Sequence, residues 1–262
     1  MKIGFLITAR LKSSRLPLKL LLDLNGKSIV ERVIERCKQV ANIDSVILCT
    51  STNKQDKPLV DIAQRNGVYY FLGNELDVLK RLCDAAEFFG LDYIINITGE
   101  NPLFSIHHAN LIADRCATNK YDFVYTENLP IGCAVYGIRT TALKVVCEVK
   151  KEVDTEIWGP LINQPDIFDI NTIDGKSPFA GIRITNDYYE DYQFITALYN
   201  NFDKGTIPSF HQIEQLLIDK PELLTINSMH NQLGLAPEKL NEINAYYQAN
   251  KEKILELKAS MK

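Results

Sequence analysis

Through roughly the first 125 residues, short β-branched runs alternate with segments whose apolar side chains recur on one helix face, which leaves few architectures open. The runs at 3–8, 45–50, 68–71, 92–98 and 122–126 read as strands. Between them, 28–40, 58–66, 74–89 and a segment opening at Ser105 read as helices. Ser28 with Glu31 makes a capping box, and Gly67 and Gly90 stand where helices end. For 74–89 the pattern predicts Asn74 as the cap, Asp77 as the capping-box acid, and Leu76, Leu79, Leu82, Cys83 and Ala86 as the buried face. This is the signature of an α/β protein with a mostly parallel central sheet flanked by helices.

Beyond that point the order loosens. Strands are predicted at 135–138, 168–173 and 181–185, the last two pairing antiparallel at the sheet edge, and helices at 140–150, 156–163 and 187–199. From Ser209 the chain is helical, with Pro208, Pro221 and Pro237 as helix starts. The division predicted is a body over 1–204 and a helical extension over 205–262. The extension carries an apolar stripe (Leu240, Ile243, Tyr246, Tyr247, Ile254, Leu257) that either packs back on the body or joins two copies into a homodimer.

The stretch from Ile3 to Lys19 carries the chemistry. A buried strand breaks into a loop, 9–19, in which Arg10, Lys12, Arg15 and Lys19 crowd together with Ser13 and Ser14. In open α/β sheets ligands bind beyond the carboxyl ends of strands, and a loop of this composition there holds a polyphosphate; the alternative is a solvated basic turn. The net charge of -4 and the lack of another basic stripe argue against nucleic acid as a partner. The apolar opening is too short to span a membrane and runs straight into cations, so a cytoplasmic protein is expected. Six cysteines without a CxxC pair read as reduced core residues.

Neither a GxxxxGK[ST] loop nor a GxGxxG turn is present, so phosphate has to be held by side chains and turn amides. The adjacent His107 and His108 cannot both face one metal. Two acids do stand at the ends of predicted elements on one edge, Glu100 after the 92–98 strand and Asp187 after Arg183-Ile184-Thr185. Oxygen ligands of this kind suit Mg²⁺, which takes one or two carboxylates and leaves its other positions to water and substrate phosphate. The combination fits nucleotidyl transfer. The Thr50-Ser51-Thr52-Asn53 run could line the same crevice or form a capped turn.

The opening TARLKSSRLPLKLLLDLNGKSIVERVIERC resembles that of the CMP-sugar synthetase group within the nucleotide-diphospho-sugar transferase fold, whose pattern is ARxxSxRLPxKxL. Within that group it resembles more closely the spore coat polysaccharide biosynthesis protein F-like cytidylyltransferases, which are related to the 3-deoxy-manno-octulosonate cytidylyltransferases. TSTN at 50–53, DVLKR at 77–81, ITGENPL at 97–103, RITNDYYED at 183–191 and PELLTIN at 221–227 follow in the family's order, so the likeness covers about residues 1–230. The resemblance implies that Ala9, Arg10, Ser14, Arg15 and Lys19 hold the phosphates of CTP, that Thr50, Ser51 and Asp77 lie near the cytidine, and that Glu100 and Asp187 hold Mg²⁺. Lys19, Arg10 and Arg183 are the residues it implicates in catalysis. Glu100 stands where the family usually has aspartate.

Other departures fall mainly on the acceptor side. Lys12 and Leu18 occupy positions where glycine is common, Cys133 interrupts a region usually reading like PDGLDVE, and DTEIWGP at 154–160 replaces REHVTP. The acceptor implied is an anionic sugar or phosphorylated small molecule. Arg139 and Arg183 are the arginines near its segments in sequence, and Arg183 is expected either to meet the acceptor's anionic group or to brace Asp187. Competing readings are a glycosyltransferase of the same fold, for which the DxD metal motif is missing, and a non-catalytic nucleotide-binding subunit. Because every motif lies upstream of it, the tail beyond Ile226 is expected to be dispensable for the nucleotide site.

Overall fold

The computed structural model describes residues 1–261. Seven strands form one sheet: β1 (Ile3–Thr8), β2 (Ser45–Ser51), β3 (Tyr69–Gly73), β4 (Tyr93–Thr98), β5 (Phe123–Glu127), β6 (Tyr136–Arg139) and β7 (Ile170–Asp174), in the order β3-β2-β1-β4-β6-β5-β7. Only β6 runs against the others. No helix separates it from β5, and a return of eight residues is too short for a parallel crossover, so the chain doubles back antiparallel. The predicted strand at 181–185 does not form: that segment makes a single bridge, Ile131 with Arg183. The edge strand β7 therefore lacks the antiparallel partner expected at 181–185 and pairs instead with β5, in parallel.

Ten helices cover the sheet: α1 (Ile29–Cys37), α2 (Lys57–Arg65), α3 (Val78–Phe89), α4 (Ile106–Ala117), α5 (Thr140–Val149), α6 (Gly159–Ile162), α7 (Tyr189–Tyr199), α8 (Phe210–Asp219), α9 (Pro237–Ala249) and α10 (Lys251–Ser260). Of the helix predicted at 156–163 only the single turn α6 forms. The cap of α3 is Asp77, whose carboxylate accepts from the Lys80 N–H; Asn74 instead closes an Asx turn through the Leu76 and Asp77 N–H groups. Starting three residues later leaves Leu76 outside the helix and 43% exposed.

Alternation along β1 divides two apolar layers. Ile3, Phe5 and Ile7 face α1, α2, α4, α7 and α8, whereas Leu6 faces α3, α5 and, farther along that layer, α9 and α10. Phe210, Ile213 and Leu217 of α8 lie in the first layer, and Ile243, Tyr247 and Ile254 of α9 and α10 in the second, so the extension is built into the same core as the body. The stripe considered for a dimer contact is thereby buried largely against the chain itself. All six cysteines are free, and burial pushes the Cys49, Cys116 and Cys133 thiols up to about 12 each, which leaves them inert at neutral pH. No helix among the described residues is long and apolar enough to cross a membrane.

Sheet order places the ligand edge. The chain leaves β1 toward β2 and β3 on one side and resumes with β4 on the other, so the crevice between β1 and β4 is the topological switch point. Thr8 is in register with both Cys49 and Thr98, and the 9–19 loop therefore emerges between Ser51 and Gly99-Glu100.

Candidate active site

The loop is pinned at its root. Ala9 donates its N–H to the Cys49 carbonyl at 3.1 Å, and Gly99 donates to the Thr8 carbonyl at 2.8 Å. A Cβ on Gly99 would stand 3.2 Å from that of Ala9 and 3.4 Å from Leu20, so glycine lets the two strand ends approach. Asp56 holds the next step: it accepts from the Leu11 N–H at 2.7 Å and from the Ser51 hydroxyl. Ser51 is thus engaged in shaping the loop, while the Thr50 hydroxyl beside it is buried without a partner.

From there the cations divide. Arg10 turns toward the β3–α3 connection, donating to the Glu75 carbonyl at 2.7 Å with Glu156 at 3.8 Å, and Lys12 lies 3.7 Å from the Glu75 carboxylate. Arg15 and Lys19 turn the other way. Lys19 Nζ lies 2.8 Å from Asp187 Oδ1 and 3.7 Å from Glu100 Oε1, and Arg15 Nη2 lies 3.1 Å from the same Asp187 oxygen. Ser14 is exposed on the loop surface. Leu18 introduces the 3-10 turn Lys19–Leu21 with φ of 55°, a left-handed conformation that explains why glycine suits this position.

Asp187 is presented by the turn before α7 and held from below. Asp191, fully buried, accepts at 3.1 Å from both the Asp187 and Tyr188 N–H groups, capping α7, and binds Arg183 Nη2 at 3.0 Å. Arg183, itself buried, donates to Asp187 Oδ2 at 3.1 Å. Arg183 therefore braces the acid and does not line an open surface. Burial works against the Lys19 ammonium, yet Glu100 and Asp187 hold it above its ordinary range. Burial also pushes the Asp187 carboxyl up, but Lys19, Arg15 and Arg183 outweigh it and leave the group below the usual carboxylate range.

Two residues lie away from the loop cations. Asp77 gives one carboxylate oxygen to the Lys80 N–H and the Thr155 hydroxyl and pairs the other with Lys150, so it caps α3 and ties down the 150–155 segment instead of facing the loop cations. Arg139 ends β6 beside Tyr93, at the opposite edge of the sheet, where it pairs with Asp122 at 3.2 Å. Residues that the motifs did not single out complete the cluster: Asp191, Tyr188, whose ring underlies the Arg15 guanidinium at 5.1 Å, and Asn227, which donates to Asp191 at 2.8 Å. All three lie within the quoted 183–191 and 221–227 runs, and Asp191 also stood out as an acid in the first turn of a predicted helix.

The donor set suits a hard cation. Glu100 and Asp187 converge on Lys19, and the neighbouring Asn101 and Asn186 each have a buried amide oxygen without a partner. Gly132, at φ of +91°, leaves room here, since a Cβ would meet the Ile184 carbonyl at 2.5 Å and the Asn101 oxygen at 2.8 Å. Among the described residues no group of three or more His, Cys, Asp or Glu side chains is placed to hold a metal ion.

Comparison with known proteins agrees with this architecture. Over 232 residues the chain is 33% identical to an uncharacterised protein of Methanocaldococcus jannaschii, covering 87% of this chain and 95% of that protein. It is 25% identical over 232 residues to the spore coat polysaccharide biosynthesis protein SpsF of Bacillus subtilis, covering 85% and 97%. A cytidylyltransferase structure from Leptospira borgpetersenii superposes with a TM-score of 0.80 at 24% identity, covering 90% of this chain and all of that one. The CTP complex of CMP:2-keto-3-deoxy-manno-octonic acid synthetase gives 0.61 at 17%, covering 77% and 99%. These two likenesses establish the nucleotidyltransferase fold. The cytidylyltransferase family signature itself matches residues 5–253, and the chain belongs to that family of nucleotidyltransferase enzymes.

Proposed function

We propose that this enzyme transfers CMP from CTP to an anionic sugar or phosphorylated small molecule, with release of pyrophosphate and with Mg²⁺ as its metal. The observation that carries the reading is Lys19 held between Glu100 and Asp187, with Arg15 on the same acid. Cations and acids neutralise one another here, and a triphosphate with its metal can exchange into the cluster without leaving either sign uncompensated.

Glu100 and Asp187 would hold Mg²⁺, which when bound supplies charge neutralisation at the triphosphate. Lys19 and Arg15, released from the carboxylates, would bind phosphate oxygens, and the pinned 9–14 backbone would orient the chain of phosphates for in-line attack on the α-phosphorus. An acceptor oxygen forms the new P–O bond as the α–β bridge breaks, pyrophosphate leaves with the bonding pair, and where the acceptor is a hydroxyl its proton passes to solvent. Arg10, on the β3–α3 side, would meet the nucleotide from the other flank, with Thr50 at the crevice floor. Arg183 would contribute by fixing Asp187. The name of the SpsF relative supports a sugar acceptor destined for a surface polysaccharide.

Pyrophosphate release from each of the four nucleoside triphosphates, with a panel of acidic sugars and phosphorylated alcohols, tests the reading. Release with CTP and at least one acceptor, abolished by chelation of divalent metal, is expected. Turnover that favours a purine nucleotide, or that survives chelation, would overturn it.

A further inference from the structure

Residues 227–236 leave the first apolar layer after the 3-10 turn Pro221–Thr225 and reach the second at Leu235, just before α9. To do so they cross the carboxyl edge of the sheet, over the side of the site that carries Asp187. Three side chains of this strap engage that side. Asn227, buried, donates to the Arg183 carbonyl at 3.1 Å and to Asp191. His230 stacks on Tyr188 with ring centroids 3.9 Å apart and planes 5° apart, and its Nε2 pairs with Glu190 at 2.8 Å. Gln232 accepts from Arg183 Nη1 with its amide oxygen.

The Gln232 contact is the informative one. The guanidinium of Arg183 is a rigid planar fork: Nε and Nη2 face Asp191, Nη2 also reaches Asp187, and Nη1 has Gln232. With Asp191 on one flank and Gln232 on the other, the plane is fixed and so is the direction of its bond to Asp187. His230 acts in parallel, since the ring it covers also underlies Arg15 at 5.1 Å. Simple anchoring of a tail does not require polar contacts of this kind, because α9 and α10 are already held by Ile243, Tyr247 and Ile254.

We propose that Gln232 and His230 are positioning residues for the reaction, acting on Asp187 through Arg183 and on Arg15 through Tyr188, so that the strap forms one wall of the active site. This rests on the assignment of Asp187 as a metal ligand in CTP-dependent transfer. Partners of ligating carboxylates typically change metal affinity by about 10- to 100-fold, and one further intervening side chain places Gln232 near the lower end.

The test uses the full chain and reads Mn²⁺ binding in the presence of CTP by electron paramagnetic resonance, with no acceptor needed. Gln232→Ala should weaken Mn²⁺ about threefold to tenfold while thermal stability stays at the parent value, and Gln232→Glu, which keeps an acceptor for Nη1, should restore most of the affinity. His230→Ala should raise the concentration of CTP needed for half-saturation, and His230→Phe, which keeps the stacked ring, should recover it. Parental metal and CTP binding in both alanine variants would overturn the proposal, as would losses that merely follow a drop in thermal stability. Should the parent chain bind no Mn²⁺ with CTP, it is the metal assignment that fails, which separates the two outcomes.

Discussion

The two ends of the candidate site are built in different ways. The phosphate end is assembled from charges on one short loop and two acids that close on it, with Lys19 2.8 Å from Asp187 and 3.7 Å from Glu100. At the strap end the charges are already engaged with the protein: Arg183 with Asp191 and Asp187. A polyphosphate is recognised by exchangeable charge, so its site is written in residue types at fixed spacing. The strap end depends on chain segments distant in sequence, and residue type alone does not announce them.

Truncation after Ile226 separates the two ends most severely. The motifs predict an intact nucleotide site, but the fold predicts the reverse, because Asn227 and Gln232 are lost from Arg183 and Asp191 while Ile243, Tyr247 and Ile254 are stripped from the second layer. We expect a poorly folded chain that does not bind CTP in equilibrium dialysis. A soluble truncated chain with parental CTP binding would show that the strap is dispensable.

Asp187→Asn should come next in size. It removes a ligand charge and leaves Lys19, Arg15 and Arg183 facing a neutral amide, so turnover should fall by about 100-fold or more, with a higher metal requirement. Glu100→Asp sharpens the same point, since it restores the family's usual residue. Steady-state pyrophosphate release against metal concentration checks both, and a parental metal curve in Asp187→Asn would detach this acid from the site.

A pH effect should arise away from either end. Burial, helped by the neighbouring His107, pushes the His108 imidazole down to about 4, against about 6.5 for an unfolded chain. Between these values the unfolded state binds the extra proton, so this contribution to stability is present above about pH 6.5 and is lost as pH falls toward 4. Urea unfolding at a series of pH values should show that slope, and His108→Asn should flatten it. An identical slope in the variant would assign the dependence to other groups.

The smallest effect belongs to the loop backbone. Leucine in the left-handed region costs about 1–2 kcal/mol, and glycine returns about 0.5–1 kcal/mol of that through its greater freedom when unfolded, so Leu18→Gly should stabilise by at most about 1.5 kcal/mol. Denaturant unfolding can resolve it, and destabilisation would mean that Leu18 makes an apolar contact that matters more than its φ.

Much of the parallel sheet was legible because each strand is apolar and each helix carries a cap or a stop, as at Ser28 with Glu31 and at Gly90. The reversal of β6 was not, since it follows from a missing crossover and not from any residue. The 181–185 run has strand composition but is drawn instead into the turn that presents Asp187, with Arg183 held by Asp191 and Asn227. The structural role of Asp77 was only half legible: an acid before a helix serves equally as a cap or a ligand, and its carboxylate caps α3 while holding Lys150 and Thr155. Arg139 looked near the acceptor segments in sequence, yet an antiparallel strand carried it to the opposite edge.

The central claim is that the phosphate end recognises charge through Lys19. Titration calorimetry of CTP and of CMP, each with Mg²⁺, into the parent chain and into Lys19→Ala tests it directly. The account predicts tighter binding of CTP than of CMP by the parent, and a loss in the variant of about 1.5–3 kcal/mol for CTP with little change for CMP, because a charge-assisted bond to the outer phosphates is removed. Equal weakening of both nucleotides, or unchanged affinity for CTP, would contradict it.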